Sequence, residues 1–132
     1  MKNKLIIVDW FLELLNANQL HKIAEYVSDD FEFTSLIRGT IGFSEYCKYV
    51  TYNSDSFEVN IRERAVDGDK VIVHLDITII DNSIKYHSKL TAIASFEFDD
   101  LLLKRLSIKY VATETDMEYM KKQVEIQYSS DD

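Results

Sequence analysis

The chain has 132 residues, of which 46% are hydrophobic and 29% are charged, proportions typical of a single globular domain. Its formal net charge of −8 opposes binding to phosphate backbones and anionic lipid surfaces, so neither nucleic acid nor a membrane is expected as a partner. Cys47 is the only cysteine, which excludes an intramolecular disulfide and a four-cysteine zinc site, and a cytoplasmic location is expected.

The first half of the chain has the pattern of helices. Residues 5–15 are almost all apolar. The polar positions of this segment recur at spacings of four and three, at Asp9, Glu13 and Asn16. A helix with so narrow a polar stripe is predicted to lie inside the domain rather than on its surface. Asn18 is expected to cap a second, short helix.

A third helix is predicted to begin near Gly42. It carries Tyr46, Tyr49 and Tyr52, which either rim the mouth of a cavity or simply pack against neighbouring side chains. Cys47 lies on the apolar face of the same helix, where a cysteine is usually an inert core thiol.

The second half of the chain has the pattern of strands. A short strand is predicted around residues 31–33, and four long ones follow at 57–66, 71–80, 84–98 and 102–112. Their short turns predict antiparallel neighbours, so the chain is expected to be an α+β domain with a curved sheet around the first helix.

A last helix is predicted over about residues 115–127, because Thr115 and Glu118 have capping-box spacing. Its apolar stripe of Met117, Met120 and Val124 covers the open end of the domain, docks on a second subunit, or packs as an ordinary terminal helix.

The order of these elements resembles the nuclear transport factor 2-like superfamily, which includes the SnoaL-like proteins and ketosteroid isomerases. Local features carry the resemblance: residues 8–20, the segment 26–31 with its two aspartates, Gly42 before a helix, and residues 96–99 at the end of a strand. The resemblance covers about residues 5–114 of a single domain, 1–132. It implies a cystatin-like cone, in which a mostly antiparallel sheet wraps around the long N-terminal helix.

The resemblance also shows which isomerase residues are missing. The positions of that family's catalytic tyrosine, neutral aspartic acid and general-base aspartate hold Phe11, Ala94 and Ser35 in this chain. Phenylalanine and alanine donate no hydrogen bond, and a serine without a partner is no base at neutral pH. Ketosteroid isomerase chemistry is therefore not expected.

Two interpretations of the strand over residues 71–80 remain open. Periodicity places an aliphatic row in the core and His74, Asp76 and Thr78 on the other, solvated face. The resemblance implies the opposite, with these polar residues inside the cone. The aliphatic row would then form a homodimer interface through Val71, Val73, Leu75, Ile77 and Ile79.

If the polar face is the inner one, His74 and Asp76 form an acid–base pair about 7 Å apart along the strand. Thr78 and Tyr110 would then bind a polar group of the ligand. The apolar wall of the pocket would be formed by Phe11, Leu90, Ala92, Ala94 and Phe96.

Two functions follow from these interpretations. The first is a SnoaL-like domain that binds a small apolar molecule. The alternative is a cofactor-independent isomerase, cyclase, dehydratase or hydrolase that uses His74 and Asp76. No cofactor is expected, and three scattered histidines without ligand spacing predict no metal site.

Overall fold

The structure is a computed structural model that describes residues 3–130, with side chains through residue 127. Three α-helices, one 3₁₀ helix and six strands occur within these residues. Their order is α1 (Lys4–Asn16), the 3₁₀ helix (Leu20–Tyr26), β1 (Val27–Ser35), β2 (Gly39–Ile41), α2 (Phe43–Asn53), β3 (Phe57–Asp67), β4 (Lys70–Asp81), β5 (Tyr86–Asp99), β6 (Leu102–Val111) and α3 (Glu114–Ser130).

All six strands belong to one sheet with the order β2-β1-β6-β5-β4-β3. Strands β3 to β6 form an antiparallel meander, whereas β1 and β6 pair in parallel. The α+β fold with a mostly antiparallel sheet is therefore confirmed. Among residues 3–130, no helix is both long enough and apolar enough to cross a bilayer.

Helix α1 lies against the inner face of this sheet. Its first turn is capped by the side chain of Asn3, which accepts a hydrogen bond from the Ile6 amide at 3.0 Å. The side chains of Ile7, Val8 and Phe11 are at most 1% exposed, which confirms the prediction of a buried helix.

The polar stripe of α1 ties the helix to β3. Asp9 pairs with Arg64 at 2.8 Å. The side-chain amide of Asn16 donates to the Val59 carbonyl at 2.6 Å and accepts from the Val59 amide at 3.1 Å. Asn16 thus satisfies both backbone groups of Val59 on the otherwise unpaired edge of β3.

Strand β4 has its aliphatic row on the inner face, as periodicity predicted. This row is at most 3% exposed within the single chain and comprises Val71, Val73, Leu75, Ile77 and Ile79. The inward orientation of His74, Asp76 and Thr78, which the resemblance implied, is wrong. The physical reason is that α1 and the rest of the core cover the inner face and favour its five aliphatic side chains.

The same burial removes the surface through which the homodimer was predicted. Side chains already sealed inside one chain cannot also form an interface with a second copy. Dimerisation as such stays a prediction, now without that surface.

Three local predictions also differ from the structure. Asn18 does not cap a helix but has a positive φ of 56°, and the second helix is a 3₁₀ helix that starts at Leu20. The last helix begins at Glu114 because Thr113 supplies the cap, its hydroxyl accepting from the Asp116 amide at 3.1 Å. Strand β2 is too short to give any periodic signal, and it was missed.

Candidate functional site

His74 and Asp76 lie on the outer face of the sheet, where their side chains are 43% and 46% exposed. Both carboxylate oxygens of Asp76 accept from Arg62, at 2.7 and 3.3 Å. The ring of His74 lies 3.8 Å from the carboxylate of Glu63. A bulge between Ile61 and Glu63 shifts the β3–β4 register here. The structure therefore places the predicted acid–base pair among surface ion pairs, away from the cone.

The cone itself holds a cavity of about 100 Å³ between α1, α2 and the inner face of the sheet. Most of its wall is aliphatic or aromatic. Its lining residues are Phe11, Leu12, Leu15, Phe33, Tyr46, Tyr49, Val50, Asn53, Ser54, Phe57, Val59, Leu75, Ile77, Ala94, Phe96, Leu106, Ile108 and Tyr110.

Four of the seven predicted pocket residues line this cavity: Phe11, Ala94, Phe96 and Tyr110. Leu90 and Ala92 are buried on the same face of β5 but lie outside the lining. Thr78 is on the outer face and borders a separate polar groove instead.

No side chain of an aspartate, glutamate, histidine, lysine, arginine or cysteine is among the lining residues. Phe11 and Ala94, which the resemblance aligned with the isomerase's donors, present only carbon to the cavity. Ser35 is buried elsewhere, and its hydroxyl accepts from the Arg38 amide at 2.9 Å. Among the described residues that line the cavity, none carries a group that could act as a base at neutral pH.

The polar groups that do face the cavity are mainly phenols, and Tyr46 is the most buried of them, at 5% exposed. Its ring lies 4.4 Å from that of Phe33 and 6.2 Å from that of Phe11, centroid to centroid. Burial raises the pKa of Tyr46 far above its ordinary value, and the neighbouring Tyr49 and Cys47 raise it further. Tyr46 is therefore a protonated, neutral hydrogen-bond donor at any physiological pH.

Two further phenols, Tyr49 and Tyr110, line the cavity beside Tyr46. Burial raises the pKa of Tyr49, although a hydrogen bond from Tyr110 and the charge of Arg38 partly oppose this. Burial likewise raises the pKa of Tyr110, and the two other phenols add to the effect. The sequence left open whether Tyr46 and Tyr49 rim a cavity or simply pack, and in the structure both line the cavity. Tyr52, the third tyrosine of α2, is exposed.

Helix α3 packs beside the ends of β4 and β5. Tyr119 and Met120 are 7% and 2% exposed, and the Tyr119 ring lies 4.6 Å from that of Tyr86. Two hydrogen bonds fix the helix: Tyr86 donates to Asp116, and Tyr119 donates to Asp81 at 2.6 Å. The apolar stripe of α3 is thus packed within this chain.

A polar groove adjoins the cavity, since Ser54 and Phe57 line both. Its wall also includes Asn16, Asp55, Ser56, Glu58, Thr78 and Ile80. The segment between α2 and β3 is therefore the place where the apolar cavity meets a wet, polar surface.

The remaining candidates do not form a site. The residues described contain no cluster of three or more histidine, cysteine or carboxylate side chains suited to a metal ion. His21 is exposed, and His87 lies 3.3 Å from the side-chain oxygen of Asn82. Burial raises the pKa of the Cys47 thiol, which lowers its reactivity.

A sheet curved around a buried N-terminal helix, with an apolar cavity between them, defines the cone of the nuclear transport factor 2-like proteins. A family model described as "SnoaL-like domain" matches residues 8–106, and the chain belongs to this family. No functionally curated protein matches the chain.

Solved structures share the fold at low sequence identity. A nuclear transport factor 2-like protein of unknown function from Burkholderia pseudomallei has a TM-score of 0.75 at 13% identity, over 94% of this chain and 98% of that one. TerC, co-crystallised with polyporic acid, has a TM-score of 0.73 at 14% identity, over 90% and 98%. An epoxide hydrolase from M. tuberculosis has a TM-score of 0.67 at 17% identity, over 96% and 94%.

Proposed function

We propose that the protein binds a small apolar molecule inside the cone. The observation that carries this proposal is the composition of the cavity wall, which has eighteen lining residues and no charged side chain among them. An apolar space of this kind favours an apolar occupant, since each methylene group removed from water contributes about 0.8 kcal/mol.

The size of the cavity limits the ligand. A volume of about 100 Å³ is well below that of pockets for drug-sized molecules, roughly 300–1,000 Å³. It suits a compact ligand of about one ring, comparable to the benzene held by an engineered cavity of ~150 Å³. A larger ligand would have to extend towards Ser54 and Phe57, where the cavity meets the polar groove.

Binding is favoured over catalysis because the cavity offers no acid–base group. The alternative enzyme relied on His74 and Asp76 inside the cone, but these side chains lie on the other face, where Asp76 pairs with Arg62 and the His74 ring lies 3.8 Å from Glu63. Proteins of the same fold include an epoxide hydrolase, and one was co-crystallised with polyporic acid. A shared fold does not transfer either activity.

The test is an NMR titration of the protein with toluene and cyclohexene, followed by amide chemical shifts. We expect saturable shifts at cavity positions such as Ala94 and Phe96, and none at His74 on the outer face. The variant Ala94→Leu adds three carbons to the cavity wall and is expected to abolish binding while the protein stays folded.

Ala65→Leu is the matched control, because it makes the same substitution at an exposed position of β3. It should leave the titration unchanged. Shifts that do not saturate, or that survive Ala94→Leu, would show that the hydrocarbons bind elsewhere and would refute the proposal.

A further inference from the structure

The hydroxyl of Tyr46 has no hydrogen-bond partner among the residues described, although the side chain is 5% exposed. The neighbouring phenols Tyr49 and Tyr110 line the same cavity but are less buried than Tyr46. The Tyr46 hydroxyl is not among the fully enclosed polar atoms that lack a partner, so it keeps some accessible surface, and the residue lines the cavity. A donor without a protein acceptor thus borders a largely apolar space.

Leaving a buried hydroxyl without a partner is costly, and buried polar groups are bonded in the great majority of proteins. Packing alone does not account for the hydroxyl, because phenylalanine would make the same ring contacts with Phe33 and Phe11. Resting on the function proposed above, we infer that Tyr46 donates a hydrogen bond to an oxygen acceptor of the ligand. The ligand class is a compact, neutral, apolar molecule that carries a carbonyl or similar oxygen.

The surroundings of Tyr46 exclude other classes of polar ligand. A carboxylate would be buried against the cavity wall without a lysine or arginine among the lining residues, and an ammonium group would be buried without a carboxylate. A neutral carbonyl needs only one donor, and the Tyr46 hydroxyl provides it. The protonated state of Tyr46 persists at all physiological pH values, so the donor is always available.

The orientation of the donor is fixed by its neighbours. Tyr46 is held between Phe33 on β1, Phe11 on α1 and Phe31, with ring centroids at 4.4, 6.2 and 6.2 Å. A side chain so enclosed cannot swing towards solvent, and its hydroxyl is preorganised for an acceptor inside the cone.

The experiment compares cyclohexanone with methylenecyclohexane, two molecules of nearly the same shape that differ in the acceptor oxygen. Affinities are measured by NMR titration for the wild-type protein, Tyr46→Phe and the control Tyr52→Phe, an exposed tyrosine on the same helix. Tyr46→Phe should weaken cyclohexanone binding by about 3- to 10-fold, the effect of one neutral hydrogen bond. It should leave methylenecyclohexane binding unchanged, and Tyr52→Phe should change neither.

Two further measurements guard against a general effect on folding. The unfolding midpoint of Tyr46→Phe should equal or exceed that of the wild type, because an unpaired hydroxyl is removed and the ring is kept. In difference infrared spectra, the carbonyl stretch of bound cyclohexanone should lie at lower frequency in the wild type than in Tyr46→Phe.

The outcomes separate the inference from the proposed function. Suppose that methylenecyclohexane binds in the cone, but Tyr46→Phe lowers the affinity for both ligands equally or for neither of them. The inference then fails and the binding function stands. An unchanged carbonyl frequency in Tyr46→Phe would overturn the inference in the same way. If neither ligand binds the wild-type protein, the binding function fails and the inference fails with it.

Discussion

Replacing Tyr86 by phenylalanine should weaken the attachment of α3 to the sheet. Tyr86 donates a hydrogen bond to Asp116, a carboxylate that is 3% exposed. Asp116 also accepts from the Ser88 hydroxyl and from the hydroxyl and backbone amide of Thr113, so the substitution removes one of four donors. A hydrogen bond to a charged group contributes about 1.5–3 kcal/mol, and with three donors left we expect a loss near the lower limit, about 1.5 kcal/mol, at neutral pH.

The size of this loss should depend on pH. Burial alone would raise the pKa of Asp116, but the hydrogen bonds from Tyr86, Ser88 and Thr113 outweigh it and hold the pKa below its ordinary value. A carboxyl whose pKa is lowered by folding stabilises the protein above the ordinary pKa, and this contribution is lost as the pH falls through the lower folded-state pKa. The difference between wild type and Tyr86→Phe should therefore shrink below about pH 4.

The assay is urea unfolding followed by far-ultraviolet circular dichroism over a series of pH values, with Tyr52→Phe as the exposed control. Amide hydrogen exchange should show faster opening of α3 in Tyr86→Phe, while β4 and β5 keep their protection. Equal stability of Tyr86→Phe and wild type at neutral pH would refute the reasoning. So would a difference that does not diminish in acid.

Further substitutions test other features of the structure. Val73→Asp should abolish cooperative folding, since it buries an unpaired charge at a fully enclosed position. If the variant instead folds and elutes as a monomer in size exclusion, Val73 belongs to a dimer interface after all. His74→Gln should leave hydrocarbon binding unchanged in the titration, and lost binding would return His74 to the site. Asn16→Ala should cost about 1–3 kcal/mol and accelerate amide exchange at Val59, whose unaltered protection would contradict the contact. The Cys47 thiol should react slowly with a disulfide reagent until urea unfolds the protein, and equal rates would show that burial does not control it.

The fold could be predicted from the sequence because its elements have strong periodic patterns. The near-continuous apolar run of α1 predicted a helix inside the domain, and the aliphatic alternation of β4 predicted its buried face. Strand β2 has three residues and pairs with the end of β1 after a turn with Gly39 at a φ of 80°. Such a short strand depends on its partner rather than on its own sequence.

The orientation of His74 stayed open in the sequence because periodicity and the family resemblance favoured opposite faces, whereas strand pairing decides between them. In the β4–β5 hairpin, Asp81 pairs with Tyr86, so each odd-numbered residue of β4 opposes an even-numbered residue of β5. Ala94 and Phe96, which were predicted to face the cavity, therefore share their face with the aliphatic row. An inward His74 and an inward Ala94 are incompatible, and the hairpin register alone would have shown it.

The site was harder to predict than the fold because its defining residue has no distinctive pattern. Tyr46 lies on α2 among two other tyrosines, and helical spacing makes Tyr49 a neighbour of both Tyr46 and Tyr52 without distinguishing any of the three. What distinguishes Tyr46 is a property of the assembled core, namely a buried hydroxyl without a protein acceptor. That property arises from Phe11 and Phe33, which are distant in sequence and supply only carbon.

The apolar character of the cone limits the chemistry that its wall can perform. Phe11, which the resemblance aligns with the isomerase's helical donor, supplies only carbon, and the buried phenol Tyr46 lies on α2. Under the proposed function, a neutral donor in a largely apolar wall selects a ligand by its shape and by an acceptor oxygen. It cannot remove a proton, because that step needs a base with a pKa near the working pH. A base for a reaction in this cone would therefore have to belong to the ligand or reach it from the polar groove beyond Ser54, whose wall includes the carboxylates of Asp55 and Glu58.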